Sequence, residues 1–180
     1  MEKVIEALEK DLRNIIGGQA PTILREKLGD DIDMRLLRMV VFSLQWASVG
    51  YQSALRLAGM KLGKRIGQSS EKSEISLVLE EIKKIIEFLR GGRVVIEILS
   101  ELKEAQLKIY SSSLTAGVPN ISQNICFFEE GFIEGYLDGV ISKQGALAVV
   151  GGKISVKQVT VEEKRCIGLG DDFCGFSIKF

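Results

Sequence analysis

The chain has 180 residues, no histidine, three cysteines, and 24 basic side chains against 24 acidic ones. That length suits a single domain with a full core, and a formal net charge of zero offers no field to gather nucleic acid or an anionic membrane. The missing histidine removes Ser-His and Cys-His catalysis, HExxH metal hydrolysis and histidine proton shuttling together.

Val4, Ile5, Leu8, Leu12, Ile15 and Ile16 fall at helical spacing, and Gly17-Gly18 closes that segment. Its charges are interleaved where a signal peptide has an apolar core, so the expected location is cytoplasmic. In that compartment an odd number of cysteines argues against a disulfide framework and leaves buried thiols or metal ligands. Ala20-Pro21-Thr22 starts a second short helix, and GDDID breaks the pattern after it. Residues 1–30 therefore read as an N-terminal helical arm, either a mobile extension or a dimerisation element, with the main domain over 31–180.

From Met34 to Gly67 the chain is apolar almost all round, and Gly59, Gly63 and Gly67 recur four apart, on one helix face. Glycine costs a helix about 1 kcal/mol, so a close approach must offset it; tight helix packing and a ligand-facing groove both satisfy that condition. After a polar break at Ser69 to Lys72, Ile75, Val78, Leu79, Ile82, Ile85, Ile86 and Leu89 mark one side of a helix over 73–89. RVVIEILSE and AQLKIYSSS are β-rich runs that predict a hairpin. The segment CFFEEGFIEGYLDGV, starting at Cys126, is helical, with Gly131, Gly135 and Gly139 again four apart.

In the next run Ile154 and Val156 share one parity and Val159 and Val161 the other, which predicts a bulge or break near Lys157-Gln158. CGFSIKF is the last strand. This order indicates an α+β fold: N-terminal helices packed on a mostly antiparallel sheet, with a Gly-rich helix inserted between strands.

The chemistry concentrates in EEKRCIGLGDDFCGF. Gly168-Leu169-Gly170 begins like a dinucleotide fingerprint, but Phe173 stands where the third glycine belongs and a strand follows instead of a helix. A redox pair would want CxxC, whereas seven residues separate Cys166 from Cys174, though a hairpin could still bring the two thiols together. A turn could bring their sulfurs together around zinc, with Cys126 at a helix N-terminus and a carboxylate completing four ligands. Buried packing cysteines are the alternative.

From Cys126 to Phe180, through GFIEGYLDG and then VEEKRCIGLGDDFCGF, the chain resembles the C-terminal half of the 4-vinyl reductase domain family, also called the hydrocarbon-binding domain. LGKRIG fits that family's first half, and with no helix-turn-helix or ATPase region attached the chain resembles a free-standing archaeal-type member. The resemblance implies a fold like TRAPP vesicle-tethering subunits, with an apolar cavity for a small hydrophobic or aromatic ligand. Candidate lining residues are Phe42, Trp46, Tyr51, Phe88, Tyr110, Phe128 and Tyr136, with core packing as the other account of each.

Members fused to phenol-responsive activators hold a structural zinc, and carrying their ligands onto this sequence implies Cys126, Glu163, Cys166 and Cys174. Those sensors grip the phenol hydroxyl with a histidine, which is absent here, so the resemblance implies another ligand. Residues three apart on a straight strand face opposite ways. Glu163 and Cys166 can therefore share an ion only if the strand bulges or ends around Lys164-Arg165, and Glu162 is the rival by simple parity. Lys164, Arg165 and the helix terminus are expected to offset the negative charge of the cluster.

The functional expectation is a zinc-stabilised ligand-binding sensor without chemistry of its own. A homodimeric interaction subunit is the alternative. The vinyl reductase that the family name suggests finds no flavin or nicotinamide motif here.

Overall fold

The computed structural model describes residues 49–90, 92–99, 104–112, 115–148 and 155–180; the expected arm over 1–30, and the candidates Phe42 and Trp46, lie outside them. Helix α1 spans Val49–Gly67, α2 Ile75–Arg90 and α3 Phe127–Gln144. Strands β1 (Arg93–Leu99) and β2 (Glu104–Tyr110) precede α3. Strands β3 (Leu147–Ala148), β4 (Ser155–Val156), β5 (Thr160–Arg165) and β6 (Cys174–Lys179) follow it, with a 3-10 turn at Ile167–Leu169.

The main sheet runs β1-β2-β6-β5, antiparallel at every pairing, and β3 pairs with β4 in a separate two-stranded sheet. The α+β architecture expected from the order of elements is the observed one. The predicted β1–β2 hairpin forms, and the parity change near Lys157-Gln158 is a break, since β4 ends at Val156 and β5 starts at Thr160.

Helix α2 owes its place to its stripe: Ile75, Val78, Leu79, Ile82, Ile85 and Ile86 are all buried, at the spacing that gathers one apolar face toward the core. The sheet offers a matching face through alternation, clearest in β2, with Val94, Ala105, Leu107, Ile109, Val161, Phe176 and Ile178 buried.

Helices α1 and α3 meet backbone to backbone. A Cβ on Gly63 would stand 2.2 Å from the Phe132 carbonyl oxygen, and one on Gly135 would stand 2.1 Å from that of Met60. Gly59, Gly67, Gly131 and Gly139 are placed in the same way. What faces the glycines of α1 is thus the main chain of α3, and tight packing is the account that holds. Arg56 spans the seam, pairing with Glu130 at 3.1 Å and also with Glu134. Among the described residues no helix is long and apolar enough to cross a membrane.

Candidate metal centre

Three backbone devices bring the terminal cysteines to the start of α3. The first is the 3-10 turn, which the segment before α3 clasps: the N–H groups of Ile121 and Gln123 both donate to the Gly168 carbonyl, at 2.8 and 3.3 Å. A Cβ on Gly168 would stand 2.3 Å from the Gln123 carbonyl oxygen, so only glycine lets the two segments touch. The second is Gly170, whose φ of 93° lies in the left-handed region and whose N–H caps the turn on Ile167. Gly168-Leu169-Gly170 is therefore a turn-forming element.

The third device is a bulge. Glu163 pairs with Phe176 and Arg165 with Gly175, so two steps along β5 match one along β6 and Lys164 is the extra residue. The insertion reverses the alternation. Glu163 and Cys166 consequently both turn inward, which a straight strand would forbid. Glu162 points out, exposed, and pairs with Lys164 at 2.5 Å.

One charge expectation is corrected by the same bulge. Lys164 is held at the surface by Glu162, and Arg165 lies on the outer face with its guanidinium 5.4 Å from the Phe173 ring centroid. Neither cation faces the sulfurs.

Cys126 is the N-cap residue of α3. Its thiol donates to Cys174 Sγ at 3.1 Å, Cys166 and Cys174 are 3.9 Å apart, and the Ile125 N–H donates to Cys166 Sγ at 3.3 Å. The Cys166 N–H donates to Asp171 Oδ2 at 2.9 Å, which ties the loop to the site. Ligand atoms of Cys126, Glu163, Cys166 and Cys174 all lie within 4.8 Å of one another, and all four residues are buried. The structure thus brings together the four residues singled out in the sequence.

The titration of these groups reflects crowding of anionic groups away from water. Hydrogen bonds to Cys166 and Cys174, then burial, push the Cys126 thiol well above the ordinary thiol range. Burial first, and the neighbouring Cys166 charge second, push Glu163 up to about 10. Cys166, which receives the contacts of Cys126 and Cys174, is driven far down. Glu129, also buried, adds its negative field to Cys126 and Glu163.

Two observations test whether these residues suit a metal ion. Both carboxylate oxygens of Glu163 are buried and have no hydrogen-bond partner, an arrangement that costs several kcal/mol if the group is charged and nothing answers it. The three cysteines are free, and their spacing exceeds the roughly 2.05 Å of a disulfide. The 3.9 Å between Cys166 and Cys174 is close to the sulfur-sulfur edge of about 3.8 Å in a tetrahedral zinc thiolate site. The donor set fits zinc: three soft sulfurs and one carboxylate on separate elements, converging inside the fold.

No family model matches the chain. An uncharacterized protein of Methanocaldococcus jannaschii is 27% identical over 156 residues, which cover 86% of this chain and 81% of the relative. A solved vinyl-4-reductase family protein from the same organism is 21% identical with a TM-score of 0.51, over 99% of this chain and 96% of that one. A trafficking protein particle complex subunit 3 from Naegleria fowleri, covalently bound to palmitic acid, is 21% identical with a TM-score of 0.55, over 81% and 93% of the two chains. The phenol-responsive sensory domain of the transcription activator PoxR, solved with phenol, gives 16% identity and a TM-score of 0.56, over 90% and 78%.

This chain has the fold of the vinyl-4-reductase family protein and the trafficking subunit. The likeness inferred from GFIEGYLDG and the cysteine segment extends to the architecture as a whole.

Within that fold the aromatic candidates separate. Phe88 is 62% exposed and Tyr51 37%, and the Tyr110 ring packs at a tilt against Phe173 on the outer face of the sheet. None of these three lines an interior. Tyr136 is fully buried, its hydroxyl donating to Glu81 at 3.0 Å, and Phe128 packs against the core beside Phe132. Sequence reasoning missed Asp171 and Glu129. An Asp-Asp pair in a turn beside a cysteine was the available signal for the first, and an acid at the third position of a helix capped by Cys126 for the second.

Proposed function

We propose that this chain is a small-molecule-binding regulatory module in which a structural zinc ion, held by Cys126, Glu163, Cys166 and Cys174, fastens the C-terminal hairpin to helix α3. One observation carries the ion: a buried carboxylate with both oxygens unpartnered lies within 4.8 Å of three buried free sulfurs. When bound, the ion supplies charge compensation and a cross-link. Four protein groups leave no open coordination position, so it does no chemistry of its own.

The binding role is supported by the fold shared with a sensory domain solved with phenol. Phe132, Tyr136 and Leu137 on α3 are buried in the same largely apolar core as the stripe of α2, where the Tyr136 hydroxyl donates to Glu81. A ligand entering there is small and hydrophobic or aromatic, since a charged group would meet no partner.

Elemental analysis of protein purified without chelators should give one zinc per chain; protein that is folded yet zinc-free under zinc-replete conditions defeats the ion. Thermal melting against a panel of small aromatic and aliphatic hydrocarbons should reveal saturable stabilisation by at least one member. A zinc-loaded chain that responds to none would favour a homodimeric assembly subunit. Leu77, Phe88 and Leu89 on α2, all exposed, support that second account, and light scattering would test it.

A further inference from the structure

The main sheet turns one face to the core and the other outward, and the outward face has an ordered pattern of charge. Its register places Lys108 opposite Gly175 and Gly175 opposite Arg165, with Arg93 opposite Tyr110 in the adjoining outward row. Phe173, in the turn just before β6, lays its ring over the gap at Gly175: a Cβ there would stand 3.0 Å from Phe173 Cε2 and 3.4 Å from Arg165 Cβ. Lys108 Nζ and the Arg165 guanidinium sit 5.7 and 5.4 Å from that ring's centroid. The Tyr110 ring lies 5.1 Å from Phe173 and carries the Arg93 guanidinium at 4.9 Å.

Three cations thus surround two aromatic rings in a chain whose net charge is zero. Lys108 is paired with Glu97 at 2.7 Å, but no carboxylate among the described residues pairs with Arg93 or Arg165. A guanidinium resting on a ring is held flat while its N–H edge stays free for an oxyanion. Arginine and aromatic side chains together are also what the centres of protein interfaces are enriched in.

The next outward row decides the length of the occupant. There Glu97, Gln106, Ser177 and Glu162 stand across the sheet, and exposed Asp172 adjoins Phe173. A long polyanion crossing this face would press its next charges against those acids; a short acidic stretch would not.

We infer that the outer face of the sheet docks a short acidic segment of a partner protein, with carboxylates on Arg93 and Arg165 and an apolar side chain against Tyr110 and Phe173. Arg165 precedes Cys166 and Gly175 follows Cys174, so the docking face and the cysteine cluster are the two sides of one hairpin. Docking itself requires only the cations and the rings.

A display library of random twelve-residue peptides, panned on the full chain, tests this. Enriched peptides should be rich in Asp and Glu with an interspersed apolar residue. Synthetic copies should bind saturably and lose about tenfold or more in affinity to an Arg93→Ala/Arg165→Ala chain whose circular dichroism and melting midpoint match the parent. Lys61→Ala, an exposed cation on α1, should bind them unchanged. Enrichment of neutral or basic peptides, or acidic peptides indifferent to the double substitution, overturns the inference. So does tighter binding of a single-stranded oligonucleotide, or of phosphatidylcholine vesicles containing phosphatidylserine, or self-association that the double substitution abolishes.

Discussion

Glu163 is an acid in a place that penalises acids: buried, without a hydrogen-bond partner, and beside three sulfurs. Burial alone could be tolerated by keeping the proton, and in the metal-free chain the group does so, with its pKa pushed up to about 10. Packing gives no reason for a glutamate there, since an apolar side chain of that size would fill the space without the desolvation cost. The proposed divalent ion would supply the reason. Glu163→Gln preserves shape while removing the charge and should weaken zinc binding by at least about tenfold, measured by competition with a chromophoric chelator. Glu162→Gln, which alters only an exposed pair with Lys164, should leave zinc affinity as it was. Equal effects of the two substitutions would mean that surface charge, and no ligation by Glu163, governs the metal.

Among the elements, the glycine seam between α1 and α3 and the bulge in β5 show how far periodicity reaches. Four-residue spacing was visible in both helices and told which face the glycines occupy; it could not tell that the two faces meet, because a spacing names a side and never a partner. The bulge was legible only as a condition, since Glu163 and Cys166 could converge only if the strand broke its alternation near Lys164. The same bulge throws Lys164 and Arg165 to the opposite face, so the charge compensation expected from them does not form there. Two glycines separate the physical causes at work. Gly63→Ala places a methyl 2.2 Å from a backbone oxygen that cannot yield, and should cost about 2–3 kcal/mol by forcing the helices apart. Gly145→Ala meets nothing within 4 Å but sits at φ 82° at the end of α3, and should cost about 1 kcal/mol from backbone handedness alone. Urea denaturation would measure both, and Gly145→Asn should recover part of the second loss but has no counterpart that could rescue the first. Similar losses at the two positions would mean that the seam is looser than its geometry.

At the scale of the whole molecule the chain is joined in two different ways. The seam of α1 on α3, the α2 stripe and the pairing of β1 with β2 rest on burial and backbone hydrogen bonds that involve no cysteine. The closure of the C-terminal hairpin on the start of α3 rests on two backbone bonds, from Ile121 and Gln123 to Gly168, and one from the Ile125 N–H to the Cys166 side chain, together with the cysteine–glutamate cluster. Three such bonds are worth only about 1 kcal/mol each net, and without an ion the cluster crowds anionic groups against one another. Chelation should therefore act locally before it acts globally. Hydrogen exchange should speed up in residues 120–126 and 166–174, while amides inside α1 and α3 keep their protection and the helical circular dichroism changes little. A melting midpoint that falls on chelation and recovers with added zinc should accompany this pattern. Uniform loss of protection would make the ion integral to the entire core, and unchanged exchange around Gly168 would mean that backbone bonds alone hold the closure. Only the localised response agrees with a cross-link placed where the burial of hydrocarbon ends and the turn chemistry begins.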